Sequence, residues 1–94
     1  FNTPEINLQT TDERKFEIIE KLKKEFEFND YEKVLIDGIR IENDESWGLA
    51  RASNTTPSLV FRFEGESEEA LKKIIAVFQK ALFAIDDKLE IKLN

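Results

Sequence analysis

The repeat of the apolar residues changes twice along this chain. Phe16, Ile19, Leu22 and Phe26 recur at helical spacing, with Ile18 beside them. Ile39 and Ile41 alternate with Arg40 and Glu42, and then Leu59, Phe61 and Phe63 with Val60, Arg62 and Glu64. Leu71, Ile74, Ile75, Phe78, Leu82 and Ile85 return to helical spacing. A period of 3.6 buries one stripe of a helix, and a period of two buries one face of a strand. Strands grouped between two amphipathic helices predict an α+β fold, an antiparallel sheet with both helices packed on one face.

The first helix is expected over residues 12–27, capped by Thr10 with Glu13 or by Asp12 alone. Its charged face pairs Glu17 with Lys21 and Glu20 with Lys24, and reads as solvated. Asn29-Asp30 ends it. Four strands follow, over residues 34–36, 39–41, 47–51 and 58–64, with turns at Asp37-Gly38 and at 43–46. Asp37, Asp44, Asp86 and Asp87 read as turn or helix-end residues, not as a metal cluster. Ser67 is the expected N-cap of the second helix, with Glu68 and Glu69 at its positive end and its last turn near residue 86. Residues 1–10 are short and polar and contain Pro4, and the alternation of Ile6 and Leu8 with polar neighbours gives part of them strand character. The tail alternates Leu89, Ile91 and Leu93, as an edge strand or extended segment would.

Composition narrows the function. Ninety-four residues make a single domain, and eight Phe and one Trp supply much of its core. The chain has no Cys and no His, which removes disulfides, thiolate chemistry and the commonest general base. The missing Cys fits a reducing compartment, and the expected location is cytoplasmic. A formal net charge of -6 argues against nucleic acid or an anionic membrane as partner. There is also no Met, so Phe1 is expected to be a cut point within a longer protein.

Against that acidic background one stretch stands out. Residues 47–63 hold two arginines and no acidic residue. Within them, Arg51-Ala-Ser-Asn-Thr-Thr-Pro57 places a guanidinium, three hydroxyls and a carboxamide in six positions before a proline stiffens the exit. Arg51 offers a planar fork of donors that matches two phosphate oxygens. Ser53, Asn54 and Thr55 add side-chain donors, and their backbone N–H groups can converge on an anion. Thr56 and Pro57 shape the loop. The same residue types also build ordinary turns.

The run Gly48-Leu-Ala-Arg-Ala-Ser-Asn-Thr-Thr-Pro57, followed by Leu59-Val-Phe-Arg-Phe-Glu64, resembles the C-terminal domain of the phosphoglucomutase/phosphomannomutase family. It is similar to the bacterial bifunctional branch, which favours a Ser-Asn-Thr loop. Thr3-Pro-Glu-Ile6, Asp37-Gly-Ile-Arg-Ile41 and the pattern of residues 67–81 extend the likeness over nearly the whole chain. Ala50, where relatives often carry Val, and Thr56, where some branches carry Glu, depart from it.

The resemblance implies a TATA-binding-protein-like fold with a four-stranded sheet, in the last domain of a phosphohexomutase, which residues 1–10 join to the rest as a linker or hinge. It implies that Arg51, Ser53, Asn54 and Thr55 bind the substrate's phosphate. It implies a parent enzyme that interconverts hexose 1- and 6-phosphates of glucose and mannose through a phosphoserine, Mg²⁺ and a hexose 1,6-bisphosphate. No catalytic residue and no metal site is expected in this domain, which should be inactive alone. Its expected partners are a phosphosugar and the other domains of the parent, not nucleic acid or a membrane. The other reading is a free-standing module that binds phosphorylated metabolites without catalysis. Trp47 is expected to pack beside the loop, and Arg62 to be structural or solvated.

Overall fold

A computed structural model of the chain describes residues 1–35 and 37–92. The elements follow in the order β1 (Ile6–Gln9), α1 (Asp12–Glu25), β2 (Glu32–Val34), β3 (Ile39–Glu42), β4 (Ser46–Ala52), β5 (Ser58–Gly65) and α2 (Glu68–Ile85). All pairings are antiparallel, in the order β1-β5-β4-β3-β2. α1 lies over β3, β4 and β5, and α2 over β4 and β5, so both helices share a face of the sheet.

The sheet has five strands where four were expected. The extra one is β1, from the segment read as a linker. Ile6 and Leu8 sit opposite Phe61 and Leu59 and turn their side chains to the helices. Thr3 N–H donates to the Phe63 carbonyl at 3.0 Å and Gly65 N–H to the Phe1 carbonyl at 2.8 Å, so pairing continues beyond the named strand. β2 begins at Glu32, earlier than expected, and Ile36, placed by pattern in that strand, lies outside the described residues.

Two other expectations shift. The cap of α1 is Thr11, not Thr10 or Asp12. Its extended backbone (φ -122°, ψ 164°) lets Oγ1 accept from Arg14 N–H at 3.0 Å. The inward stripe of α1 is Lys15, Ile18, Ile19 and Leu22, and Phe16 is 58% exposed. The helix ends at Glu25, where the Lys33 ammonium donates to the Lys23 and Phe26 carbonyls at 2.8 and 3.0 Å and satisfies its open C-terminus. α2 keeps its expected cap, with Ala70 N–H donating to Ser67 Oγ at 3.0 Å.

Phe78 of α2 is the hub of the core. Its ring meets Phe28, Phe61 and Phe63 at centroid separations of 6.0, 6.2 and 5.4 Å, the last two edge-on. Small residues beneath make room, for a Cβ on Gly48 would stand 2.7 Å from the Phe78 ring. After α2 the described tail forms no strand. The Gln79 amide takes a strand's place, donating to the Leu89 carbonyl and accepting from Ile91 N–H, both at 2.7 Å. Leu89 and Ile91 are thereby buried, while Leu93 lies outside the described residues. No helix among the described residues is long and apolar enough to cross a membrane.

Candidate functional site

The segment Ser53-Asn-Thr-Thr-Pro57 is the loop of the β4–β5 hairpin. Ala52 pairs with Leu59, and Ser53 N–H closes the loop on the Ser58 carbonyl at 3.0 Å. Inside it, Ser53 Oγ gathers three donors. Thr55 N–H and Thr56 N–H reach it at 3.3 and 3.2 Å, and Thr56 Oγ1 at 3.0 Å. Thr56 Oγ1 also stands 2.7 Å from Ser58 Oγ. A chain of hydroxyls running Ser58, Thr56, Ser53 fits these contacts, and it leaves the Ser53 O–H as its free donor end.

The exit is held from outside the hairpin. Thr10 N–H donates to the Pro57 carbonyl at 2.8 Å, and Lys15 Nζ to the Thr56 carbonyl at 3.0 Å. That carbonyl also accepts from Ser58 N–H at 2.8 Å. The loop is therefore braced by the β1–α1 connection and by α1 itself, although both lie far away in sequence.

The four residues singled out by sequence take three places. Ser53 is buried and turned into the loop, where it organises the backbone. Asn54 and Thr55 are exposed at the tip. Arg51 lies at the end of β4, on the face that carries Trp47 and Leu49 and is turned away from the helices. Its side chain is 37% exposed, and its Nη2 stands 4.0 Å from Glu5 Oε1, a loose pair in solvent that leaves the guanidinium available. The backbone offers less than the residue types suggested. The N–H groups of Ser53, Thr55 and Thr56 are spent inside the loop.

A turn on β3 sets where Arg51 stands. Asp37 has φ 53° and Gly38 φ 126°, and Gly38 lies against β4. A Cβ there would come within 2.4 Å of the Ala50 carbonyl oxygen and 2.9 Å of Arg51 Cβ. A cavity of about 390 Å³ opens beside the loop, where Arg51 and Lys23 balance Asp37 and Glu20, with Phe16 and Asn54 also in the wall. A cavity of similar size, about 400 Å³, lies at the other end of β4. It is walled by Glu42, Asp44, Glu45, Glu64 and Glu66 against one guanidinium, that of Arg40, a field that repels phosphate.

Trp47 belongs to that far end, not to the loop. The Arg40 guanidinium stacks on its ring at 4.5 Å, and its Nε1 donates to Glu64 at 3.2 Å. Arg62 is exposed on the open sheet face, opposite Leu49. Sequence reasoning missed Lys15. It occupies the first inward position of α1, three and four residues before Ile18 and Ile19. Reading the stripe from Ile18 instead of Phe16 would have found a lysine in an apolar register.

Residues 5–81 match the family described as phosphoglucomutase/phosphomannomutase, C-terminal domain. A phosphomannomutase/phosphoglucomutase of Pseudomonas aeruginosa is 44% identical over 90 residues, which is 96% of this chain and 19% of that protein. A phosphoglucomutase of Neisseria meningitidis is 37% identical over 83 residues, 86% of this chain and 18% of that protein. A solved phosphoglucomutase/phosphomannomutase family protein of Burkholderia thailandensis superposes with a TM-score of 0.84 at 39% identity, covering 97% of this chain and 19% of that one. This chain thus spans about a fifth of the length of these relatives, and it belongs to the phosphoglucomutase/phosphomannomutase family, matching the C-terminal domain.

Proposed function

We propose that this chain is the phosphate-gripping C-terminal domain of a phosphohexomutase that interconverts hexose 1- and 6-phosphates. The observation that carries the reading is the braced hairpin loop, with Arg51, Asn54 and Thr55 left accessible on a scaffold that spends Ser53 and Thr56 on holding its own shape. A phosphate dianion competes well for a guanidinium whose nearest carboxylate is 4.0 Å away and half exposed. The contacts on offer recognise a phosphate and little of the sugar.

Such a grip suits a two-step transfer. In the first step the phosphoserine gives its phosphoryl group to the free hydroxyl of the sugar monophosphate, and in the second the bisphosphorylated sugar returns its other phosphate to the serine. In both, the phosphate that does not react must be held still. Fixing the resting end converts part of the encounter into orientation. A loop that reads phosphate alone accepts the sugar in either direction. Among the described residues no group of three or more His, Cys, Asp or Glu side chains is placed to hold a metal ion. In this reading Mg²⁺ and the phosphoserine belong to the rest of the parent protein.

The test is an amide NMR titration of the chain with glucose 1-phosphate and, separately, with glucose. Binding should be weak, about millimolar, or roughly 4 kcal/mol. Shifts should centre on residues 51–55 and appear only with the phosphosugar. Arg51→Ala should weaken binding by roughly tenfold to a hundredfold, the loss of one charge-assisted contact. It should change folding stability by no more than about 0.5 kcal/mol, because the side chain is partly exposed and loosely paired. Equal shifts with plain glucose, or an Arg51→Ala variant that binds as well as the parent sequence, would refute the reading.

A further inference from the structure

We infer that Lys15 is a positioning residue for the anion loop, an ammonium on α1 that keeps the Thr56 carbonyl turned away from the site. The inference rests on the phosphate reading above and adds a residue to it. Lys15 is 4% exposed, in a chain whose other lysines are half-buried or exposed among the described residues. Burying an ammonium is costly unless its donors are matched.

Its donors are matched. Nζ donates to the Thr56 carbonyl at 3.0 Å and stands 3.1 Å from Asp12 Oδ1 and 5.2 Å from the Phe16 ring centroid. The Asp12 pair does not explain the burial. Asp12 is 73% exposed, and a pair at this helical spacing forms equally well on the surface. Phe16, which breaks the apolar stripe, lies close enough to shield the ammonium. What burial achieves is the reach to Thr56, forty-one positions away.

The Thr56 carbonyl belongs to the Thr56–Pro57 peptide unit, which has no N–H whose own hydrogen bond could fix that plane. Rotated outward, its oxygen would present a negative dipole end to any anion at the loop. Held by Lys15 and by Ser58 N–H, it points inward. The same restraint keeps the Thr56 N–H and hydroxyl within reach of Ser53 Oγ. Lys15 also places its ammonium, paired with Asp12, beneath the loop at the Thr56 carbonyl. It therefore acts through the loop and does not need to touch the ligand.

The experiment compares the chain with its Lys15→Met and Lys15→Arg variants. Met keeps the aliphatic stem and removes the donor, and Arg keeps a donor. Two readouts are taken: ¹⁵N relaxation of residues 53–56 without ligand, and titration with inorganic phosphate. Lys15→Met should loosen those amides and raise the phosphate Kd by roughly fivefold or more, and Lys15→Arg should recover most of both. A folded Lys15→Met chain with unchanged loop relaxation and unchanged Kd would overturn the inference. If Lys15→Met does not fold, the ¹⁵Nζ signal of Lys15 in the parent sequence decides. It should move with the same midpoint as the Asn54 amide, and a signal that stays still under saturating phosphate would equally overturn the role. If the parent sequence binds no phosphate, the reading under Proposed function fails, and the ligand-free relaxation still shows whether Lys15 sets the loop.

Discussion

Gly38 shows how a single residue aims the site. With φ at 126° it occupies backbone space that side chains avoid, and a Cβ would collide with the Ala50 carbonyl oxygen at 2.4 Å. Gly38→Ala must therefore strain the turn or push β4 outward at Arg51. The expected cost is on the order of 1–3 kcal/mol in denaturant unfolding. Phosphate affinity should fall with it, because the displaced segment carries the guanidinium. A stability loss with undiminished phosphate binding would show that turn and loop are uncoupled. At this scale the sequence was informative wherever a residue type alone implies chemistry. Arg51, Asn54 and Thr55 carry donors that can be read without knowledge of the fold, and Asp37-Gly38 announces a turn. Ser53 and Lys15 were less legible. The donors that Ser53 Oγ gathers come from a loop closure that no pattern encodes, and a lysine beside Glu13 and Glu17 reads as solvated until its helix face is known.

Among the elements, the two helices are tied by a contact with a definite pH signature. The Arg14 guanidinium of α1 donates to Asp86 Oδ2 at 3.1 Å, and Asp86 caps α2 with its own N–H on the Leu82 carbonyl. Asp86 Oδ1 accepts from Lys88 N–H at 2.9 Å. The Lys88 N–H first, and then Arg14, favour the charged carboxylate and hold its pKa below the ordinary 3.8. A depressed folded-state pKa contributes stability that is full above the unfolded value. It is lost as pH falls from there through the lower folded value. Asp86→Asn should therefore lose less stability than the parent sequence between about pH 6 and about pH 3. Thermal unfolding at both pH values checks this, and parallel losses would mean that the tie contributes nothing. The helices themselves were largely readable. α2 runs as its stripe and Ser67 cap predict. In α1 the stripe holds at Ile18, Ile19 and Leu22 and departs only at its first position, where Lys15 turns inward and Phe16 covers it instead of entering the core.

On the scale of the whole molecule, the two features that pattern alone did not resolve are both edges. β1 is four residues long and follows a proline, and its identity as a strand comes from the side of β5 that it covers. The tail is buried through the Gln79 amide, a side chain standing in for backbone. The centre of the fold was legible because alternation in β3 and β5 and the stripe of α2 converge on one apolar layer around Phe78. That layout puts every functional element proposed here at one end of the β4–β5 hairpin. In the proposed reading it also limits what the chain does by itself. Holding a phosphate that does not react binds ground state and transition state alike, and such uniform binding does not speed a chemical step. Orientation helps only when the reacting end is presented to a nucleophile. Thr and Ser hydroxyls are present, but the chain has no His or Cys, and in the proposed reading the phosphoserine lies outside it. The purified chain is therefore expected to convert no glucose 1-phosphate to glucose 6-phosphate, as followed by ³¹P NMR with Mg²⁺ and glucose 1,6-bisphosphate supplied. Turnover that survives purification to homogeneity and disappears in Arg51→Ala would place catalysis, and not only grip, within these residues.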